Sequence, residues 1–372
     1  MNDLRTTKLA ELLVEYSVAV QPGDKVVING GTEAGPLLRE VYAAVLKAGG
    51  FPLVMTALPG MDEILYRYAT DEQLRFVAPP VKAIMETYDV SISISSSDNT
   101  RNLSGVDPDR VMIRSQGRRE IMDIFMDRAA RGELRWTLAL YPTNAYAQDA
   151  DMSLSDYEDF VFGACLPDPD DPVGYWRAFS ARQERIIAWL RGKKQVHVRG
   201  RETDLRLSIA GRTFRNCDGR HNMPDGEIFT GPVENSLEGH VTFSYPAIYQ
   251  GREVTGVRLE FAGGKVVSAR AEKNEEFLHR MLATDAGAGY AGEFAIGTNK
   301  GIGKFTRQIL FDEKIAGSFH LALGSGYPET GSVNKSAIHW DMICDLREGG
   351  EITVDDELFY KNGDFTIDVA KI

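Results

Sequence analysis

The sequence predicts an α/β protein in two parts. A mostly parallel α/β domain over residues 1–193 precedes an α+β, largely antiparallel domain over 194–372. Three observations lead there. Short apolar runs alternate with amphipathic helical stretches up to about residue 191. Beyond Gly192-Lys-Lys194, brief β-rich runs follow one another across glycine-containing turns. A length of 372 residues also exceeds what one hydrophobic core usually serves.

The elements follow in order. Leu9 to Ala19 has helical spacing, and Pro22-Gly-Asp24 turns the chain into an apolar strand from Lys25 to Asn29. Gly30-Gly31 leads to a helix from Pro36 to Ala48, and Phe51 to Thr56 forms the next strand. Val90–Ser95 and Arg135–Leu140 are further strands, separated by a helical region from Val111 to Ala130. This alternation is the pattern of βαβ units. A helix from Val173 to Arg191 closes the half, with Trp176, Phe179, Ile186, Ile187 and Leu190 on its apolar stripe. Strands then follow at Gln195–Arg199, Asp204–Ile209, Arg212–Asn216, Gly239–Tyr245, Glu253–Phe261 and Lys265–Glu272, an antiparallel meander.

Composition bounds the function. Hydrophobic content of 43% and charged content of 26% are those of a globular protein, and the net charge of −12 disfavours nucleic acid or anionic membrane as partner. Three scattered cysteines suit a reducing compartment rather than a disulfide framework. The first residues lack the apolar stretch of a signal peptide, and no apolar run is long enough for a membrane span, so a cytoplasmic protein is expected. Lys300-Gly-Ile-Gly-Lys304 is not a phosphate loop, because Thr298 stands where the first glycine is required.

Chemistry concentrates in the second half. In Ser336-Ala-Ile-His339-Trp-Asp341-Met-Ile-Cys344 the strand period puts His339 and Asp341 on one face, where they can share a divalent ion. Glu227 and Glu293 each follow a glycine in an apolar segment, and a carboxylate buried there needs a metal or a paired arginine. His320 lies in Phe319-His-Leu-Ala-Leu-Gly324, a setting that also suits a core histidine. Tyr327 follows seven residues later, and Glu313 precedes His320 by seven. Four carboxylates (Glu227, Glu293, Glu313, Asp341) and two imidazoles leave one divalent ion with surplus negative charge, whereas two ions offset it. Oxygen and nitrogen donors suit zinc, cobalt or manganese, with magnesium also possible.

These segments resemble the M29 metallo-aminopeptidases, the aminopeptidase T and aminopeptidase S group. Glu227 in Gly-Glu-Ile-Phe-Thr-Gly-Pro, Glu293 in Gly-Glu-Phe-Ala, His320, Tyr327, and His339 with Asp341 match that family's motifs in order. The resemblance implies a hydrolase that cleaves N-terminal residues from peptides or small amides, with two divalent metal ions per chain. It implies Glu293 as a bridging ligand, Glu227, Glu313, His320, His339 and Asp341 as the others, and Tyr327 beside the reacting carbonyl. It also implies a homodimer. The loop from Tyr327 to His339 is shorter than in typical members, which predicts a reshaped substrate pocket. Related 2,5-dihydroxypyridine dioxygenases keep the His-x-Asp pair around a mononuclear iron, but carry His at the position of Glu293 and an apolar residue at that of Glu227. The glutamates here favour the two-metal hydrolase over such a ring-opening enzyme.

Overall fold

The computed structural model describes residues 3–249 and 251–368; residues 1, 2 and 369–372, at the ends of the expected domains, lie outside the described residues. Two compact units make up the chain, 1–175 with 219–224, and 176–218 with 225–372. Residue 193, where the sequence suggests a boundary, falls just past the helix Pro172–Leu190, whose residues from Trp176 onward count with the second unit.

In the first unit, β1 (Lys25–Gly31), β2 (Phe51–Ala57), β3 (Val90–Ser95) and β4 (Arg135–Leu140) form a parallel sheet in the order β2-β1-β3-β4. The short strand Asn222–Met223 extends it beside β4. Val26, Val27, Ile28, Ile92 and Ile94 are buried, as expected where helices cover a parallel sheet. The helix Gly35–Lys47 sets Leu37, Leu38, Val41, Ala44 and Val45 inward at helical spacing. Gly30 and Gly31 end β1, so the glycine pair belongs to the strand. The region 111–130 is not one helix but two, Pro108–Gly117 and Arg119–Ala130. At Gly117 an added Cβ would come within 2.6 Å of the Arg75 carbonyl oxygen, so the chain passes too close to its neighbour for a side chain.

The second unit carries an eight-stranded and a five-stranded antiparallel sheet over a shared apolar core, besides a two-stranded ribbon of Ala247–Tyr249 and Arg252–Val254. The eight-stranded sheet runs, in spatial order, Lys265–Arg270, Arg258–Ala262, Glu238–Thr242, Thr203–Ser208, Gln195–Gly200, Glu351–Val354, Glu357–Lys361 and Asp364–Phe365. The expected strand 253–261 is split into Arg252–Val254 and Arg258–Ala262, because the chain turns through Gly256 at φ +63°. The second sheet comprises β5 (Arg215–Cys217), β6 (Glu227–Thr230), β7 (Ala291–Gly297), β8 (Ser318–Gly324) and β9 (His339–Asp345), ordered β9-β8-β7-β6-β5. Its two faces divide by the strand period. Ile228, Phe294, Ile296, Phe319, Leu321, Trp340 and Met342 point into the core with Val198, Leu205, Val241 and Leu259 of the larger sheet. Each large apolar side chain so buried contributes about 1.5–3 kcal/mol. The opposite face is left to Glu227, Phe229, Glu293, His320, His339 and Asp341.

Candidate metal centre

Register sets the constellation. Asp341 lies opposite Ala322, which lies opposite Glu293; His320 is opposite Ala295, which is opposite Phe229; and Glu227 is opposite Cys217. Residues opposite one another, or two apart on a strand, share a face, so the polar side chains cross four strands as one row. Two glycines adjust the row. Gly292 sits in the irregularity where register shifts between Ala291 and Glu293, and an added Cβ there would meet the Ser325 carbonyl oxygen at 2.4 Å. A bulge of this kind re-aims the residue beside it, here Glu293. Gly226, at φ +129°, turns the chain into Glu227 against Asn299.

Glu293 stands at the centre. Its Oε1 is 3.4 Å from His320 Nε2 and its Oε2 is 3.3 Å from His339 Nε2. On the far side of His320, its Nε2 is 3.6 Å from Glu227 Oε2; on the far side of His339, its Nε2 is 3.5 Å from Asp341 Oδ1. Two donor triads result, Glu227–Glu293–His320 and Glu293–His339–Asp341, each with its donor atoms within 4.8 Å of one another. They meet in Glu293. His339 is oriented from behind, since its Nδ1 lies 2.8 Å from the Ser325 carbonyl; donation there leaves Nε2 toward the carboxylates.

Glu313 and Tyr327 flank the row. Glu313 follows the short helix Ile309–Asp312, pairs with Lys314, and interacts electrostatically with Glu227, Asp341 and His320, though it belongs to neither triad. The Tyr327 ring stands edge-on to His339 at 5.2 Å and beside Phe229 at 5.3 Å. Its backbone carbonyl accepts from Thr330 Oγ1 at 2.6 Å, and Glu234 holds the same loop by accepting from Val333 N at 2.8 Å and Ser332 Oγ at 3.3 Å.

The electrostatics are those of an acidic cluster awaiting cations. Burial works against charge on His320 and His339. Contact with Glu293 outweighs it for His320, raised to about 9, and contact with Asp341 and Glu293 outweighs it for His339, raised to about 12. Glu293 and Asp341 stay below the usual carboxylate range despite burial, because these imidazoles lie against them. Glu227 is pushed well up by burial and by the nearby Glu313. Burial, then the charges of Glu293 and Asp341, also push the Tyr327 hydroxyl up, so it remains a donor.

Divalent ions fit this donor set. Glu227 Oε2 and His320 Nδ1 are buried without a hydrogen-bond partner, and leaving such a group unsatisfied costs about 1–3 kcal/mol. A cation against Glu227 removes one of those penalties. The structure also brings in residues that sequence reasoning passed over: Cys217, Asp225, Phe229, Lys314 and the Ser325 carbonyl. Asp225 carries a signal, standing directly before Gly226-Glu227. Lys314 carries another, as the cation next to Glu313. The Ser325 carbonyl leaves none.

The profile of the family described as thermophilic metalloprotease (M29) matches residues 2–365. Aminopeptidase 2 of Geobacillus stearothermophilus is 27% identical, over 98% of each chain. Among solved structures, wild-type AmpT of Thermus thermophilus superposes with a TM-score of 0.84 at 24% identity, covering 98% of this chain and 99% of the other. The 2,5-dihydroxypyridine dioxygenase of Pseudomonas putida reaches a TM-score of 0.58 at 13% identity, covering 98% of each chain. At those identities the two structural likenesses speak for the fold alone.

Proposed function

The chain belongs to the M29 metallopeptidase family, and from that membership we propose that it is an aminopeptidase that removes N-terminal residues from peptides at a two-ion centre. One observation carries the reading: a single carboxylate, Glu293, serves two donor triads, one oxygen turned to each imidazole. In this reading Glu227 and His320 would hold one ion, His339 and Asp341 would hold the other, Glu293 would serve both, and Glu313 would complete the shell. Zinc, cobalt or manganese suits the donors, and such ions, when bound, polarise a carbonyl and acidify a water.

The chain's own residues do the rest. The Ser325 carbonyl keeps His339 in the tautomer that presents Nε2. The Tyr327 hydroxyl, kept protonated, donates a hydrogen bond to the scissile carbonyl oxygen as charge develops on it. A free amine at the peptide's end would have an ion to ligate here, which favours cleavage from that end. The naming of aminopeptidase 2 among the relatives supports the substrate class. A dioxygenase reading is not favoured, since Glu293 stands where that chemistry uses His.

We further propose a homodimer, following the family resemblance, and a reducing compartment such as the cytoplasm, in which Cys165, Cys217 and Cys344 stay as thiols. Among the described residues no helix is long and apolar enough to cross a membrane. The deciding assay compares leucine anilide with its N-acetylated form. Cleavage of the free amine alone, requiring cobalt or zinc and abolished by a chelator, is expected. A metal-loaded protein that cleaves no amino-acid amide contradicts the proposal.

A further inference from the structure

Asn299 joins two of the carboxylate-bearing segments. It lies just beyond the end of β7 and is 1% exposed. Its Nδ2 donates to the Asp225 carbonyl at 2.8 Å, and its Oδ1 accepts from the Gly301 N–H at 2.9 Å. Its backbone reaches the other way. The N–H donates to the Lys314 carbonyl at 3.1 Å, and the carbonyl accepts from Ala316 N at 3.3 Å. One residue thus ties the chain ahead of Glu227 to the chain that follows Glu313. Its seat is itself fixed through Thr298, which donates its N–H to the Gly226 carbonyl at 2.8 Å and its hydroxyl to Gln183 Oε1 at 2.6 Å. Gln183 Nε2 donates in turn to the Cys217 carbonyl at 2.9 Å.

Glu227 needs such a hold. It is the first residue of β6, so the ladders to β5 and β7 secure it from one side only. On the other side stands Gly226, at φ +129°, which has no side chain to pack and a backbone free to take many conformations. A Cβ added to Gly226 would come within 2.7 Å of Asn299 Cβ, so Asn299 packs directly on this glycine. An amide supplies a donor and an acceptor at once, and a leucine of nearly the same shape supplies neither.

We infer, resting on the two-ion reading and deepening it, that Asn299 is a positioning residue whose amide fixes Asp225-Gly226 so that Glu227 and Glu313 are presented together to the ion between Glu227 and His320. Groups that orient a ligand from behind in this way are worth about 10- to 100-fold in metal affinity. The other ion depends on a different support. His339 and Asp341 stand on β9, at the opposite edge of the sheet from β5, and His339 is oriented by the Ser325 carbonyl. Loss of the Asn299 amide therefore weakens one ion and spares the other.

The test strips the full-length protein of metal and titrates it with zinc against a chromogenic chelator, wild type beside Asn299→Leu. Wild type is expected to bind two ions per chain. Asn299→Leu should bind one as tightly as wild type and the other about 10- to 100-fold more weakly. An anomalous-scattering map from variant crystals, soaked at a zinc concentration between those two affinities, should keep the peak between His339 and Asp341 and lose the one between Glu227 and His320. Asn299→Ser, whose hydroxyl is too short to reach the Asp225 carbonyl, gives the same comparison if the leucine variant fails to fold. Two wild-type affinities, or equal weakening of both ions as a general loosening of the fold would produce, overturns the inference. Loss of the His339–Asp341 peak alone does so as well. A wild-type protein with no ion beside Glu227 instead contradicts the two-ion reading, and removes what Asn299 would position.

Discussion

His339 Nδ1 and the Ser325 carbonyl oxygen are 2.8 Å apart, a contact that joins the outermost strand of the site sheet to the loop bearing Tyr327. Ser325 N in turn donates to the Ile338 carbonyl at 2.7 Å. The imidazole and the phenol are therefore set by one short stretch of backbone, and the ring of Tyr327 rests against His339.

That arrangement makes Tyr327→Phe a clean probe. The ring keeps its contacts with Phe229 and His339 and loses only the hydroxyl. kcat should fall about 10²–10³-fold, as for loss of one oxyanion donor, with metal content unchanged. Steady-state kinetics beside metal analysis checks this; a wild-type kcat contradicts the role given to the hydroxyl.

Gly292→Ala should disturb Glu293 without touching any ligand. The new Cβ meets the Ser325 and Gly324 carbonyls at 2.4 and 2.5 Å, so the bulge must move. Overpacking of this kind costs about 1–3 kcal/mol. A fall of several degrees in melting temperature together with weaker metal binding is expected, whereas unchanged metal affinity would separate the bulge from the site.

Metal binding should release protons. In the metal-free protein burial opposes the imidazolium forms of His320 and His339, yet the adjoining carboxylates raise them to about 9 and about 12. Both are therefore protonated at neutral pH, and a metal must displace those protons to use Nε2. Affinity should rise with pH through the range below about 9, and fall steadily on acidification. Calorimetry in two buffers of different ionisation enthalpy counts the protons; heats that are equal in both buffers contradict the assignment of the imidazoles as ligands.

Glu293→Gln keeps the shape of the bridging group and removes its charge. Two cations held a few ångströms apart then lack the anion between them. Loss of at least one ion and of nearly all turnover is expected, with the circular dichroism spectrum retained. A variant that keeps both ions and the wild-type rate contradicts bridging.

Much of this architecture was legible in the chain. β3 and β4 have the predicted bounds, because Val90-Ser-Ile-Ser-Ile-Ser95 and Arg135-Trp-Thr-Leu-Ala-Leu140 are short runs rich in β-branched, aromatic and aliphatic residues between helical stretches. The period of two in His339-Trp340-Asp341 separates site from core as anticipated, with Trp340 1% exposed and packed beneath. What stayed hidden depends on chain segments meeting in space. Cys217 lies in a three-residue strand whose only mark is its register with Glu227. Lys314 reads in sequence as an ordinary neighbour of Glu313, yet its side chain is fully buried. Arg75 likewise packs against the backbone of Gly117, a meeting of segments distant in the chain.

The central claim is that one carboxylate joins two metal sites, and an anomalous-scattering map from crystals soaked in zinc or cobalt tests it most directly. Two peaks per chain are expected on the polar face of the sheet, one between Glu227 and His320, the other between His339 and Asp341, with Glu293 reaching both. A single peak, or a pair in which Glu293 contacts only one ion, would contradict it.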